Sequence, residues 1–200
     1  MDGLYVVRHE PTWREEAAPE PDDEYDNDTD HKTVYALFGL AIYKANCLEH
    51  SLVNLLAFTR IITAREQGEQ LIRDPWTQGF KDMMGKLVKR VEPHTSAYPE
   101  VIDDLTRSLK RRNYLVHNFW RERIQDMISD PGRARLCADL KSDCRLLTRT
   151  DERFSERVLN PIMEGMGITA ETVEAQYAKE RREAMARYET ETFTAGEDSA

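Results

Sequence analysis

The stretch Arg107–Arg123 reads R-S-L-K-R-R-N-Y-L-V-H-N-F-W-R-E-R. Arg107, Lys110, Arg111, Arg112, Arg121 and Arg123 stand there against a single acid, Glu122. They surround His117, with the apolar anchors Phe119 and Trp120 just after it. Ile102, Leu105, Leu109 and Val116 recur at helical spacing and are expected to face inward, so residues 99–120 read as a helix. Ser96 is a candidate cap, and Pro99 is acceptable in the first turn. On that helix Asn113 and His117 share a face. Arg112 lies about 140° around from His117, near enough for its long side chain to reach a phosphate from the edge of that face.

The flanking sequence reads as more helix. Thr29 or Asp30 can cap a first helix running to Gln67, where Gly68 loosens it. Its wide apolar stripe (Val34, Leu37, Phe38, Ala41, Ile42, Ala45, Leu48, Leu52, Leu55, Leu56, Ile62) makes it central, with Glu49, His50 and Asn54 set within it. A second helix is expected over 77–91, with Phe80, Met83, Met84, Leu87, Val88 and Val91 inward and Pro93 stopping it. Asp130 is expected to cap a fourth, buried along Leu136, Leu140, Cys144, Leu147, Phe154, Val158 and Ile162, with Pro161 kinking or ending it. Thr169 caps a last helix with Glu171 in its first turn. Its apolar stripe of Val173, Tyr177, Ala184 and Tyr188 is thin, as in helices that pack lightly or reach a second subunit.

The expected fold is all-α: an antiparallel helical bundle with a four-helix core plus an additional C-terminal helix. Residues 29–188 form the domain. Residues 1–28 read as a disordered acidic arm, on which Leu4–Val7 and Trp13 are the docking candidates, and 189–200 as a disordered tail.

A net charge of −9 argues against indiscriminate nucleic-acid binding, so the local basic patch fits a defined phosphate site better. Cys47, Cys137 and Cys144 are an odd set without C-x-x-C spacing, which argues against a zinc site or a disulfide framework; Cys137 and Cys144 read as small core residues. No signal peptide, bilayer-length apolar run, Gly-rich phosphate loop, Walker sequence or nucleophile elbow is read, and reduced cytoplasm is the expected compartment.

Arg112-Asn113-x-x-x-His117 resembles the signature of the HEPN superfamily, an Arg followed after four to six residues by a His, with a polar residue commonly right after the Arg. Members are all-helical and many are RNases. The resemblance implies a homodimer with two motifs facing one cleft and metal-independent endoribonuclease chemistry without a cofactor. Arg112 and His117 would carry it, Asn113 would assist, and Lys110, Arg111, Arg121 and Arg123 would bind RNA. It also implies a toxin or phage-defence setting, in which a cognate antitoxin is a conceivable partner. One HEPN toxin group continues His-x-Tyr, a tyrosine its partner modifies; Phe119 stands there here, which puts that control in doubt. The chemistry suits the residues. Neutral His can take a 2′-hydroxyl proton near pH 7, and the Arg fork can hold a phosphate as charge builds. The rival expectation is a non-catalytic HEPN-like helical interaction or regulatory module whose basic face binds nucleic acid, nucleotide or an acidic partner.

Overall fold

The computed structural model describes residues 29–70, 74–77 and 79–197, with side chains as far as Arg187, and every regular element among them is helical. The acidic arm, including Leu4–Val7 and Trp13, lies outside the described residues, as do 198–200.

Helix α1 (His31–Gln67) starts and stops where the sequence predicts. The Asp30 carboxylate accepts the Thr33 N–H at 2.7 Å, and Gly68 takes the left-handed φ of 67° that favours glycine. Its buried stripe holds Val34, Leu37, Ala41, Ala45, Leu48, Leu52 and Leu55, and adds Val53, Ala57 and Ala64.

The second helix begins later than expected. Gly79–Lys81 form a short 3-10 turn, and α2 spans Met84–Thr95. Gly79 rests on α1 so closely that a Cβ there would lie 2.6 Å from Val53 Cγ1. Gly79 therefore takes the inward position, and Phe80 and Met83, expected inside, face solvent. Pro93 does not stop α2. It lies on the exposed side, where water can serve the carbonyl of Lys89 that its missing N–H leaves free, and the helix runs two residues further.

Helix α3 (Pro99–His117) has Pro99 in its first turn, but Ser96 does not cap it: the Ser96 hydroxyl donates to the Pro93 carbonyl. Leu105 is buried and Val116 is exposed, against expectation, because it lies beyond the rows that meet α1 and the later helix. A short helix α4 (Phe119–Arg123) and a 3-10 turn (Ile124–Ile128) come next. Phe119 is fully buried and packs on Phe38 at 5.3 Å and Trp120 at 4.9 Å between ring centroids, which ties the end of α3 to the first half of α1.

Helix α5 (Asp130–Phe154) is capped by Ser129, not Asp130. The Ser129 hydroxyl accepts the Gly132 N–H at 3.3 Å, and Asp130 pairs with Arg133 instead. Pro161 neither ends nor breaks the helical run. A π-turn (Ser155–Leu159) widens the ladder just ahead of it, and Pro161 then sits in the first turn of α6 (Asn160–Gly165). Thr169 caps α7 (Ala170–Glu197) reciprocally with Thr172: its hydroxyl accepts the Thr172 N–H at 3.4 Å, and the Thr172 hydroxyl accepts the Thr169 N–H at 2.9 Å. The helix continues past 188, where a tail was expected, because no Gly or Pro interrupts the sequence until Gly196. Tyr177 and Met185 on it are exposed.

Two apolar clusters fill the core. Val34, Leu37 and Ala41 of α1 meet Leu115, Phe119, Leu136, Cys137, Leu140 and Cys144, and Leu48, Leu52 and Leu55 meet Leu87, Val91, Val101, Leu105, Leu147 and Phe154. The first half of α1 thus packs on the first half of α5, so these two run the same way. The expected antiparallel relation belongs to α3 against both. Parallel α1 and α5 are possible because α2, α3 and α4 lie between them in the chain and carry it back. None of Cys47, Cys137 and Cys144 forms a disulfide among the described residues. No described helix is long and apolar enough to cross a membrane.

Asp151, on α5, carries a carboxylate oxygen that is buried without a partner. Burial pushes its pKa up, opposed by the Ser51 hydroxyl and Lys44. A raised folded pKa favours the protonated form, so this group's contribution is full below its ordinary 3.8 and is lost as pH rises through the folded value. Asp151→Asn should therefore raise the thermal midpoint by a few degrees at pH 7, and the gap should close under acid. An equal or lower midpoint at pH 7 contradicts this.

Candidate functional site

The buried polar residues on α3 form a seam against α5. Asp104 holds Arg107 at 2.6 Å and also pairs with Arg153, and the Ser108 hydroxyl donates to Thr150 Oγ1 at 2.9 Å. Arg111 forks onto Asp143, Nε to Oδ1 at 2.7 Å and Nη2 to Oδ2 at 2.8 Å. Its guanidinium carbon also lies 4.7 Å from the centre of the Tyr114 ring. Burial pushes the Asp143 carboxyl pKa up and Arg111 pulls against it. The seam fixes the rotation of α3 about its own axis, and so decides which way the next residues point.

Arg112, one residue on, points at α1 instead. Its Nε donates to Glu49 Oε1 at 2.9 Å, with the two side chains 21% and 18% exposed, and its Nη1 donates to Asn113 Oδ1 at 3.4 Å. Glu49 thus holds the guanidinium by one edge, in a half-buried setting where a charge-assisted bond is stronger than on an open surface. Asn113 is exposed beside it. His117 is the last residue of α3, exposed, and its ring makes no hydrogen bond among the described residues. The Asn118 N–H closes the helix onto the Tyr114 carbonyl at 2.9 Å, and buried Phe119 anchors the start of α4. The predicted trio therefore sits on the last turns of one rigid helix, with Arg112 braced from α1.

The four residues expected to bind RNA divide into pairs. Lys110 and Arg121 are exposed; Arg121 is 73% so and, among the described residues, hydrogen-bonds Asn118 and Glu122. Arg111 and Arg123 are not available to RNA. Arg111 is consumed by Asp143, and Arg123 binds Asp126 at 2.6 Å and Asp139 at 2.8 Å. Burial works to lower the Arg123 pKa, but the two carboxylates more than offset it and raise it. Both arginines hold helices together.

Glu49 is the residue that sequence reading undervalued, as one of three polar groups within the α1 stripe. The other two also have partners: Asn54 accepts from Trp76 Nε1 at 2.9 Å, and the His50 ring lies edge-on to Phe80 at 5.1 Å. Asp104, Asp139 and Asp143 were missed as well. Their signal was an acid next to a buried apolar residue (Asp104 by Leu105, Asp139 by Leu140, Asp143 by Cys144) with an Arg available on a facing helix. Among the described residues no group of three His, Cys, Asp or Glu side chains is placed to hold a metal ion.

Comparison of the chain with protein-family models, with curated proteins and with solved structures finds no match. A functional reading therefore rests on these residues and their geometry.

Arg111→Ala leaves the Asp143 carboxylate buried without its partner and should cost about 3–5 kcal/mol in urea unfolding. Lys110→Ala, on the surface, should stay within about 0.5 kcal/mol of wild type. Equal small losses would remove the seam from its structural role.

Proposed function

We propose that this chain is a metal-independent endoribonuclease of the HEPN type, acting as a homodimer. The observation that carries the reading is the contrast between adjacent arginines. Arg111 is spent on the core, while Arg112 is held by Glu49 through one edge only, with exposed Asn113 and His117 on the same helix end. An arginine positioned in this way keeps N–H groups for a phosphate.

The chemistry stems from these groups. Neutral His117 takes the proton from the ribose 2′-hydroxyl, and the 2′-oxygen attacks the adjacent phosphorus. The bond to the 5′-oxygen breaks, giving a cyclic 2′,3′-phosphate and a 5′-hydroxyl. The leaving oxygen needs a proton, which a second His117, in its protonated form, supplies from the other copy. The Arg112 fork neutralises charge on the phosphate as it builds, and Asn113 binds a phosphate oxygen or orients the imidazole. Two copies are required because one chain brings one motif. Exposed Lys110 and Arg121 draw RNA to an otherwise acidic protein. Cytoplasm, where RNA substrates lie, is the matching compartment. A toxin or phage-defence role fits such an enzyme, and a toxin would need a restraining partner. Phe119 has no hydroxyl to modify, so control by modification of a tyrosine at that position does not carry over.

The second reading is a non-catalytic helical module that binds RNA or an acidic partner. It is favoured by the engagement of Arg111 and Arg123 with carboxylates, which leaves a smaller basic surface than the sequence suggests.

The two readings part on one assay. His117→Ala should lower RNA cleavage by about 10²–10⁴-fold without moving the thermal midpoint. Glu49→Gln should lower it too, through Arg112. Wild-type protein that cuts neither tRNA nor mRNA defeats the enzyme reading and leaves the module.

A further inference from the structure

The short turn before α2 exposes apolar side chains that the other described residues do not cover. Phe80 is 56% and Met83 77% exposed, although both lie in an apolar pattern. The cause is local: Gly79 occupies the contact with Val53, so Phe80 is turned outward. The ring is not loose, since it stands edge-on to His50, itself exposed, at 5.1 Å between centroids. His50 is next to Glu49 in α1, and Glu49 is bonded to Arg112. Two side-chain contacts and one peptide bond thus connect Phe80 to the proposed phosphate-binding arginine.

The charge around this ring is basic on a chain whose net charge is −9. Lys81 and Lys89 are exposed and have no carboxylate partner among the described residues. Lys86 and Arg90 both lie 2.6 Å from Asp82, whose side chain is nearly buried, so one acid is shared between two cations. An exposed aromatic face within a cationic frame is how proteins hold unpaired nucleotides: the base stacks on the ring while cations track the backbone.

We infer that Phe80, with His50 at its edge and Lys81 next to it in the chain, is a stacking platform for single-stranded RNA linked through His50 and Glu49 to the Arg112 phosphate site. The inference rests on the ribonuclease reading for which phosphate is cut, and on the contacts above for the platform itself. It makes unpaired RNA the substrate class, because a base within a duplex cannot reach a protruding ring. An anionic membrane is the other surface an apolar and basic patch could meet. The link through His50 and Glu49 to Arg112 favours RNA.

The test is fluorescence anisotropy with a labelled oligouridine, a matched RNA duplex and vesicles of phosphatidylserine and phosphatidylcholine. Every protein is full length and carries His117→Ala, so that RNA is not consumed. Phe80→Ala should weaken oligouridine binding roughly tenfold or more, as expected for losing one stacked base. Phe80→Trp should retain it, and Tyr43→Ala, an exposed tyrosine elsewhere on α1, should leave it unchanged. Phe80 is exposed, so unchanged thermal melting checks that the fold survives. Oligouridine affinity within about twofold of the parent overturns the platform, with stacking expected to contribute far more. Equal affinity for the duplex, or vesicle binding that needs Phe80 when RNA binding does not, also overturns it. If Phe80 governs oligouridine binding but wild-type protein cuts no RNA, the platform stands and the nuclease reading falls. If RNA is cut and Phe80→Ala changes nothing, only the platform falls.

Discussion

The fork of Arg111 onto Asp143 is the constraint on which the rest turns. A buried pair of this kind is tolerable only with good geometry, and here two parallel bonds of 2.7 and 2.8 Å supply it. It has company along the same seam: Asp104 with two arginines, Ser108 with Thr150, and Arg123 with Asp126 and Asp139. Apolar stripes alone would let α3 rotate or slide by a turn against α5 at small cost. Charged pairs at matched heights allow one rotation and one register.

That choice reaches the surface through geometry. With Arg111 turned to α5, Arg112 is about 100° further round the helix and meets α1, where Glu49 receives it. Asn113 and His117 then fall on the open side. Buried Phe119 and its aromatic neighbours pin the far end, so His117 stands at a helix terminus that is anchored on both sides. The proposed site is therefore assembled on rigid elements, with ionic contacts setting its orientation.

Much of this was legible in the chain. Gly68 marks the end of α1 and its start is narrowed to Thr29 or Asp30, while the three- and four-residue spacing of Leu37, Ala41, Ala45, Leu48, Leu52 and Leu55 reveals its buried side. The all-α class comes from such stripes. The start of α2 was not legible, because the deciding event is the fit of Gly79 against Val53, a contact between residues distant in sequence. Ser129 in place of Asp130 was a choice between two adjacent capable caps. The basic cluster at 107–123 could be seen, but its division could not. Whether Arg111 or Arg112 turns inward depends on Asp143 and Glu49, and both acids lie far away in the chain. Parallel α1 and α5 likewise arise from packing that local patterns do not encode.

The claim that joins fold to function is that two copies present His117 to one shared groove. The direct measurement is a crystal structure of the assembled protein. The account predicts a two-fold dimer with both His117 rings facing one open groove beside the Arg112 guanidinium groups, near enough to reach the same phosphate. A monomer, or a dimer that holds the two rings apart or buries them under packed side chains, contradicts it.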